Sequence, residues 1–167
     1  MLSETLSKRL NAQINHECAS IALYMQMSAW CAHKGYDGCA HFFRLQAHEE
    51  RGHMEKLFEY MLETGGLPTF GTLAAPPLSW KNLRDLFQAT LEHEQTVSRE
   101  ISALVETALG EKDFSTFSFL QWYVAEQHEE EHRLTTILDR IDMITTEGHG
   151  VFTIDREISR LTHAKSG

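Results

Sequence analysis

Phe119-Leu-Gln-Trp-Tyr-Val-Ala-Glu-Gln-His-Glu-Glu-Glu131 is the stretch that decides how this chain folds. Leu120, Tyr123, Gln127 and Glu130 stand at steps of three and four residues, and the series continues through Leu134, Ile137 and Ile141. Such spacing traces the one face of a helix that is turned to a core. Two positions in the middle of that face are polar. A single Glu on an apolar stripe is most simply an edge residue that reaches water, so its meaning depends on the rest of the chain.

Three further segments carry the same kind of stripe. A helix from about Glu4 to Lys34 has Leu10, Ile14, Glu17, Ile21 and Tyr24. A second from about Cys39 to Thr64 has Phe43, Ala47, Glu50, Met54, Leu57 and Met61. A third, with Ser79 as N-cap and Gly110 as its end, has Leu83, Phe87, Thr90, Glu94, Val97, Ile101 and Leu104. Asp113 caps the fourth, which runs to about Thr146, and a short fifth helix is expected near residues 155–161. No period-two alternation marks a strand. Pro68, Pro76 and Pro77 fall in one segment together with Gly65, Gly66 and Gly71, and divide the chain into two helical halves.

The connections set the topology. The turns at Gly35–Gly38 and Gly110–Lys112 are short, so each joined pair is antiparallel. The second helix is roughly 39 Å long at the usual helical rise. The stretch from Gly65 to Leu78 reaches about 46–50 Å when extended. It can therefore return the chain to the far end of the bundle. The expected fold is all-α: a four-helix bundle with one long crossover between helices two and three, a short fifth helix, and a single domain over residues 1–167.

Composition narrows the partners. Asp and Glu number 24 against 15 Lys and Arg, a formal net charge of −9. A nucleic-acid binder normally shows a basic face, so that class is disfavoured. No apolar run approaches the ~20 residues that span a bilayer, and residues 1–10 have no apolar signal core. Cys18, Cys31 and Cys39 form no C-x-x-C, which disfavours a disulfide framework and a zinc ribbon. A cytoplasmic protein is expected.

The excess acid has a place. Glu17, Glu50, Glu94, and Gln127 with Glu130 interrupt the four seams at similar heights, and His53 lies one turn from Glu50 on the same face. Carboxylates buried together repel one another and lose hydration unless cations compensate. Oxygen donors with one imidazole suit iron or manganese. Coincidence on all four helices outweighs the edge reading of any one residue. Glu49, Glu126 and Glu129 lie beside the cluster, the latter two on one face by their spacing. His128, Glu131 and His132 have no such argument and are expected outward. Tyr24, by spacing alone, is a core tyrosine.

Across nearly its whole length the sequence resembles the bacterial non-haem ferritins. The likeness is carried by Leu10-Asn-Ala-Gln-Ile-Asn-His-Glu17, Met27-Ser-Ala-Trp-Cys31, His48-Glu-Glu-Arg-Gly-His53, His93-Glu94 and the opening stretch. It implies that Glu17, Glu50 and His53 hold a first iron, with Glu50 bridging. Glu94 and Glu130 would hold the second, and Gln127 would stand beside it as a weak ligand or hydrogen-bonding partner. Tyr24 would be the tyrosine adjoining the pair, placed to donate an electron. Glu49, Glu126 and Glu129, with Glu130 shared, would form a third iron site. The implied activity is oxidation of Fe(II) by O2 or H2O2, with Fe(III) stored as an oxyhydroxide mineral in a shell of twenty-four subunits.

Neighbouring families fit less well. Bacterioferritin has a second Glu-x-x-His where this chain has Gln127-His-Glu-Glu130. It also has a haem-binding methionine where this chain has Gly52, so no haem is expected. Rubrerythrin needs paired C-x-x-C motifs. From a different class, the alternative is a structural or metal-buffering bundle without oxygen chemistry.

Overall fold

A computed structural model describes residues 2–144 and 149–163, with the side chains of 162 and 163 excepted. It contains five helices: α1 (Glu4–His33), α2 (Asp37–Glu63), α3 (Leu83–Gly110), α4 (Phe114–Met143) and α5 (His149–His163). No strand occurs among the described residues. None of the helices is long and apolar enough to cross a membrane.

The helix starts follow from local chemistry. Ser3 Oγ accepts from Leu6 N at 3.0 Å, and Asp113 Oδ1 accepts from Thr116 N at 3.0 Å. Each satisfies a first-turn amide that the helix itself leaves unpaired. The cap of α3 is Asn82, not Ser79: its Oδ1 accepts from Asp85 N at 2.9 Å. Pro76 and Pro77 hold the preceding chain extended, and the helix begins only after Trp80 and Lys81 have passed. At the end of α3, Gly110 stays helical, and Lys112 takes the left-handed turn with φ 58°.

Two departures concern α2 and α5. The first turn of α2 has no side-chain cap of its own. Asp155 of α5 supplies one, accepting from Gly38 N at 3.0 Å and Cys39 N at 2.8 Å. Gly38 is needed there, because a Cβ would collide with the backbone oxygen of Asp155. Helix α5 is also longer than expected, starting at His149. Gly150 lies within it, and Ile154 and Ile158 are buried in the core around Ile137 and Ile141. The expected end of α4 at Thr146 lies outside the described residues; the described helix ends at Met143.

Helices α1 and α2 pack closely as one hairpin, and α3 and α4 as another. The crossover runs back along α1. Thr69 N donates to Asn11 Oδ1 at 2.6 Å and Gly71 N to Asn15 Oδ1 at 2.7 Å. Further on, Trp80 meets Trp30 edge to face at 5.8 Å. The segment thus passes from near the start of α1 to near its end, as the length argument requires. Two apolar clusters fill the bundle, one around Phe43, Phe87 and Leu134 and one around Leu10, Leu57 and Tyr123. The polar site lies between them.

Candidate metal centre

Every seam residue named above for α3 and α4 is buried. On α1 and α2 only Ile21 and Met54 are half-exposed. The interrupting residues Glu17, Glu50, His53, Glu94, Gln127 and Glu130 are therefore carried inward by the apolar residues one turn either side of them. They converge from four helices.

Glu17, Glu50 and His53 bring one ligand atom each within 4.8 Å of one another. His53 Nδ1 is 3.0 Å from Glu50 Oε2 and 3.9 Å from Glu17 Oε2. Glu17 Oε1 accepts from Gln13 Nε2 at 2.5 Å and from the Tyr123 hydroxyl. Glu17 Oε2, Glu50 Oε1 and Gln127 Oε1 are buried without a partner. Buried polar atoms are almost always paired, so three orphaned oxygens at one place point to an absent cation.

On the facing hairpin, Gln127 Nε2 donates to Glu94 Oε2 at 3.0 Å and to Glu94 O at 3.2 Å. The Tyr24 hydroxyl donates to Glu94 Oε1. Glu130 Oε2 accepts from Gln46 Nε2 at 2.9 Å, and Glu130 Oε1 is 3.1 Å from Arg133 Nη1.

The electrostatics fit a site that awaits positive charge. Burial, then the charge of Glu50, pushes the Glu17 carboxyl well above its ordinary range. Burial and the charge of Glu94 do the same to Glu50. Glu94 is raised by burial, against the hydrogen bonds from Tyr24 and Gln127. Glu130 is pushed up to about 7 by burial, with the Arg133 guanidinium opposing. The Tyr24 and Tyr123 phenols are driven upward by burial and by the nearby glutamates. Without a cation the cluster holds protons more strongly than free carboxylates do, and a divalent ion would compete with them.

The outer acids are placed less uniformly. Glu126 is half-exposed, with Oε2 4.0 Å from His53 Nε2. Glu49 is half-buried and pairs with Arg133 at 3.2 Å. Glu129 is exposed. Glu131, expected outward, is half-buried and accepts from Ser98 Oγ, which in turn lies 3.4 Å from Gln127 Nε2.

The sequence signature of the Ferritin-like domain matches residues 7–144. The chain belongs to the ferritin family. It is 45% identical over 162 residues to a probable bacterial non-heme ferritin-like protein of Haemophilus influenzae, covering 97% of this chain and 98% of that one. It is 43% identical over 161 residues to a bacterial non-heme ferritin of Escherichia coli, covering 96% and 98%. An open-pore ferritin of the archaeon Archaeoglobus fulgidus superposes with a TM-score of 0.92 at 37% identity, covering 95% of this chain and 98% of that one. Membership of the ferritin family supports iron storage over a purely structural bundle.

Sequence reasoning missed several ferritin-site neighbours. Gln13 stands one turn before Glu17, a spacing that could have disclosed it. Arg133 likewise stands one turn after Glu130, so spacing could have disclosed that pair, whereas Gln46 and Ser98 carry no such signal because their partners lie across the bundle. His93 is half-buried, bonded to Ser20 Oγ at 2.7 Å and set edge-on to Tyr24 at 5.8 Å, with its pKa lowered to about 4 by burial.

Proposed function

We propose that this ferritin binds two Fe(II) ions within each subunit, oxidises them, and stores the product as a ferric oxyhydroxide mineral. One observation carries the reading: three partnerless buried oxygens, on Glu17, Glu50 and Gln127, share a centre with carboxylates whose affinity for protons is raised.

Glu17, Glu50 and His53 hold the first iron in this reading. Glu94 and Glu130 hold the second, and Glu50 bridges. Gln127 Oε1 faces the pair as a weak ligand or as a hydrogen-bond acceptor. Two Fe(II) ions each give one electron to O2, which takes up two protons and leaves as H2O2. The carboxylates offset the charge that accumulates as iron is oxidised. Tyr24, bonded to Glu94, stands as a further electron donor. H2O2 can replace O2 as oxidant.

Glu49, Glu126 and Glu129, with Glu130, form a third iron site in the same proposal. The single unit over residues 1–167 assembles with twenty-three copies of itself in the cytoplasm. One four-helix bundle has no interior for a mineral, so storage needs the shell.

Aerobic addition of Fe(II) to the purified protein tests the reading. About one O2 consumed per two irons is expected, followed by iron that co-elutes with the shell in size-exclusion chromatography. Iron oxidised no faster than in buffer alone would instead support a metal-buffering bundle.

A further inference from the structure

The buried glutamates are not equally open to a cation. Glu17 and Glu50 each present an oxygen with no partner. Both oxygens of Glu130 are occupied, by Gln46 Nε2 at 2.9 Å and by Arg133 Nη1 at 3.1 Å. The same guanidinium nitrogen lies 3.2 Å from Glu49 Oε2 and donates to Gln46 Oε1 at 2.8 Å. Arg133 stands one turn beyond Glu130 on α4, and its side chain is 18% exposed. A fixed positive charge thus fills the gap between Glu49 and Glu130. Gln46 closes the arrangement by donating to the glutamate and accepting from the arginine.

We propose that Arg133 and Gln46 form a latch on Glu130 that sets the order of metal loading. The Glu17–Glu50–His53 end fills first. A cation reaches Glu49 and Glu130 only after the guanidinium turns outward. The inference rests on the reading of this cluster as metal-binding.

The physical reason is competition. A guanidinium and a divalent ion seek the same carboxylate lone pairs, and at such distances they repel. Arginine keeps its charge across the accessible pH range, so protonation does not open the latch. Its stem is flexible and reaches solvent, so release needs a rotamer change without unfolding. Arg133 is in this sense a residue that sets affinity at the outer positions and is not itself a ligand.

Calorimetric titration of Zn2+ into the metal-free shell tests the latch, because Zn2+ reports binding without oxidation. The parent should show a tight class of sites followed by a weaker one. Arg133→Gln should strengthen the weaker class by about tenfold or more, the scale expected when a like charge is removed at close range, and leave the tight class unchanged. Arg133→Lys should fall between, since it retains charge and loses the planar fork. A weaker class that is unchanged or further weakened in Arg133→Gln overturns the latch. Absence of the tight class in the parent overturns the metal reading itself. If Arg133→Gln does not assemble, Gln46→Ala takes its place, with a strengthened weaker class expected and an unchanged one overturning the proposal.

Discussion

The hydroxyl of Tyr24 on α1 donates to the carboxylate of Glu94 on α3, tying one hairpin to the other at the edge of the metal centre. Tyr24 is fully buried, with its ring 6.1 Å from Phe43. Glu94 receives a second donor from Gln127. The tyrosine therefore positions the carboxylate as well as adjoining it.

Tyr24→Phe removes a donor that lowers the Glu94 pKa. The carboxyl should then hold its proton more strongly, and iron should compete less well for it. Loss of one buried charge-assisted hydrogen bond is worth about 1.5–3 kcal/mol. We expect slower Fe(II) oxidation, with a larger deficit at pH 6 than at pH 8. Initial rates at the two pH values decide the point; equal rates for parent and variant at both would sink it.

Glu50→Ala and Glu130→Ala should each abolish rapid oxidation and leave an assembled shell. Glu50 bridges the proposed pair, and Glu130 is shared between the second and third iron positions. Stopped-flow absorbance after Fe(II) addition measures the loss. Parental rates in both variants would refute the assignment.

The metal-free protein should lose stability as pH rises. Folding raises the pKa of Glu130 from near 4.5 to about 7. The native state thus keeps a proton that the unfolded chain has released. Stability is unaffected below about 4.5 and falls through the interval to about 7, by an amount of order 3 kcal/mol for this group. Glu17, Glu50 and Glu94 act in the same direction. Thermal unfolding with chelator present should show a flatter pH dependence in Glu130→Gln than in the parent. Identical slopes would contradict the electrostatic account.

Glu126→Ala combined with Glu129→Ala should leave the fast phase intact and change the iron-to-oxygen ratio. Glu126 approaches His53 only at its outer nitrogen, and Glu129 is exposed. The ratio from oxygen-electrode measurements is the readout. An unaltered ratio would remove the case for a third site.

Gly38→Ala should detach α5 from the bundle. The added Cβ meets the backbone of Asp155, and the two amide bonds that Asp155 accepts are lost with the displacement. Loss of a helix cap alone costs about 0.5–2 kcal/mol. Hydrogen exchange within α5 should accelerate by at least tenfold, against an unchanged rate in α3.

The four seams were legible because helical spacing is local: Leu120, Tyr123, Gln127 and Glu130 announce their shared face without reference to any other helix. The inward acids followed, since each sits in a seam. The contacts of Gln46 with Glu130, and of Arg133 with Gln46 and Glu49, could not be read that way. They depend on how far α2 and α4 stand apart, which no single helix encodes. Asn82 was overlooked because Ser79 offered an equally good cap earlier, whereas the chain after Pro76 and Pro77 stays non-helical until Asn82 caps the helix. The start of α5 was expected too late for the opposite reason. Gly150 disfavours a helix locally, yet burial of Ile154 and Ile158 carries α5 through it.

The ligands come from both hairpins, Glu17, Glu50 and His53 from one and Glu94 and Glu130 from the other. In the proposed reading, iron is therefore a cross-link that the subunit acquires after it has folded. It joins segments distant in sequence, as a disulfide does, but is removed by reduction and chelation of a metal instead of a sulfur pair. An empty subunit and a loaded one differ in mechanical coherence as well as in contents. Resistance to heat or to proteolysis would then report how many of the intra-subunit centres are filled, and not how much mineral the shell holds.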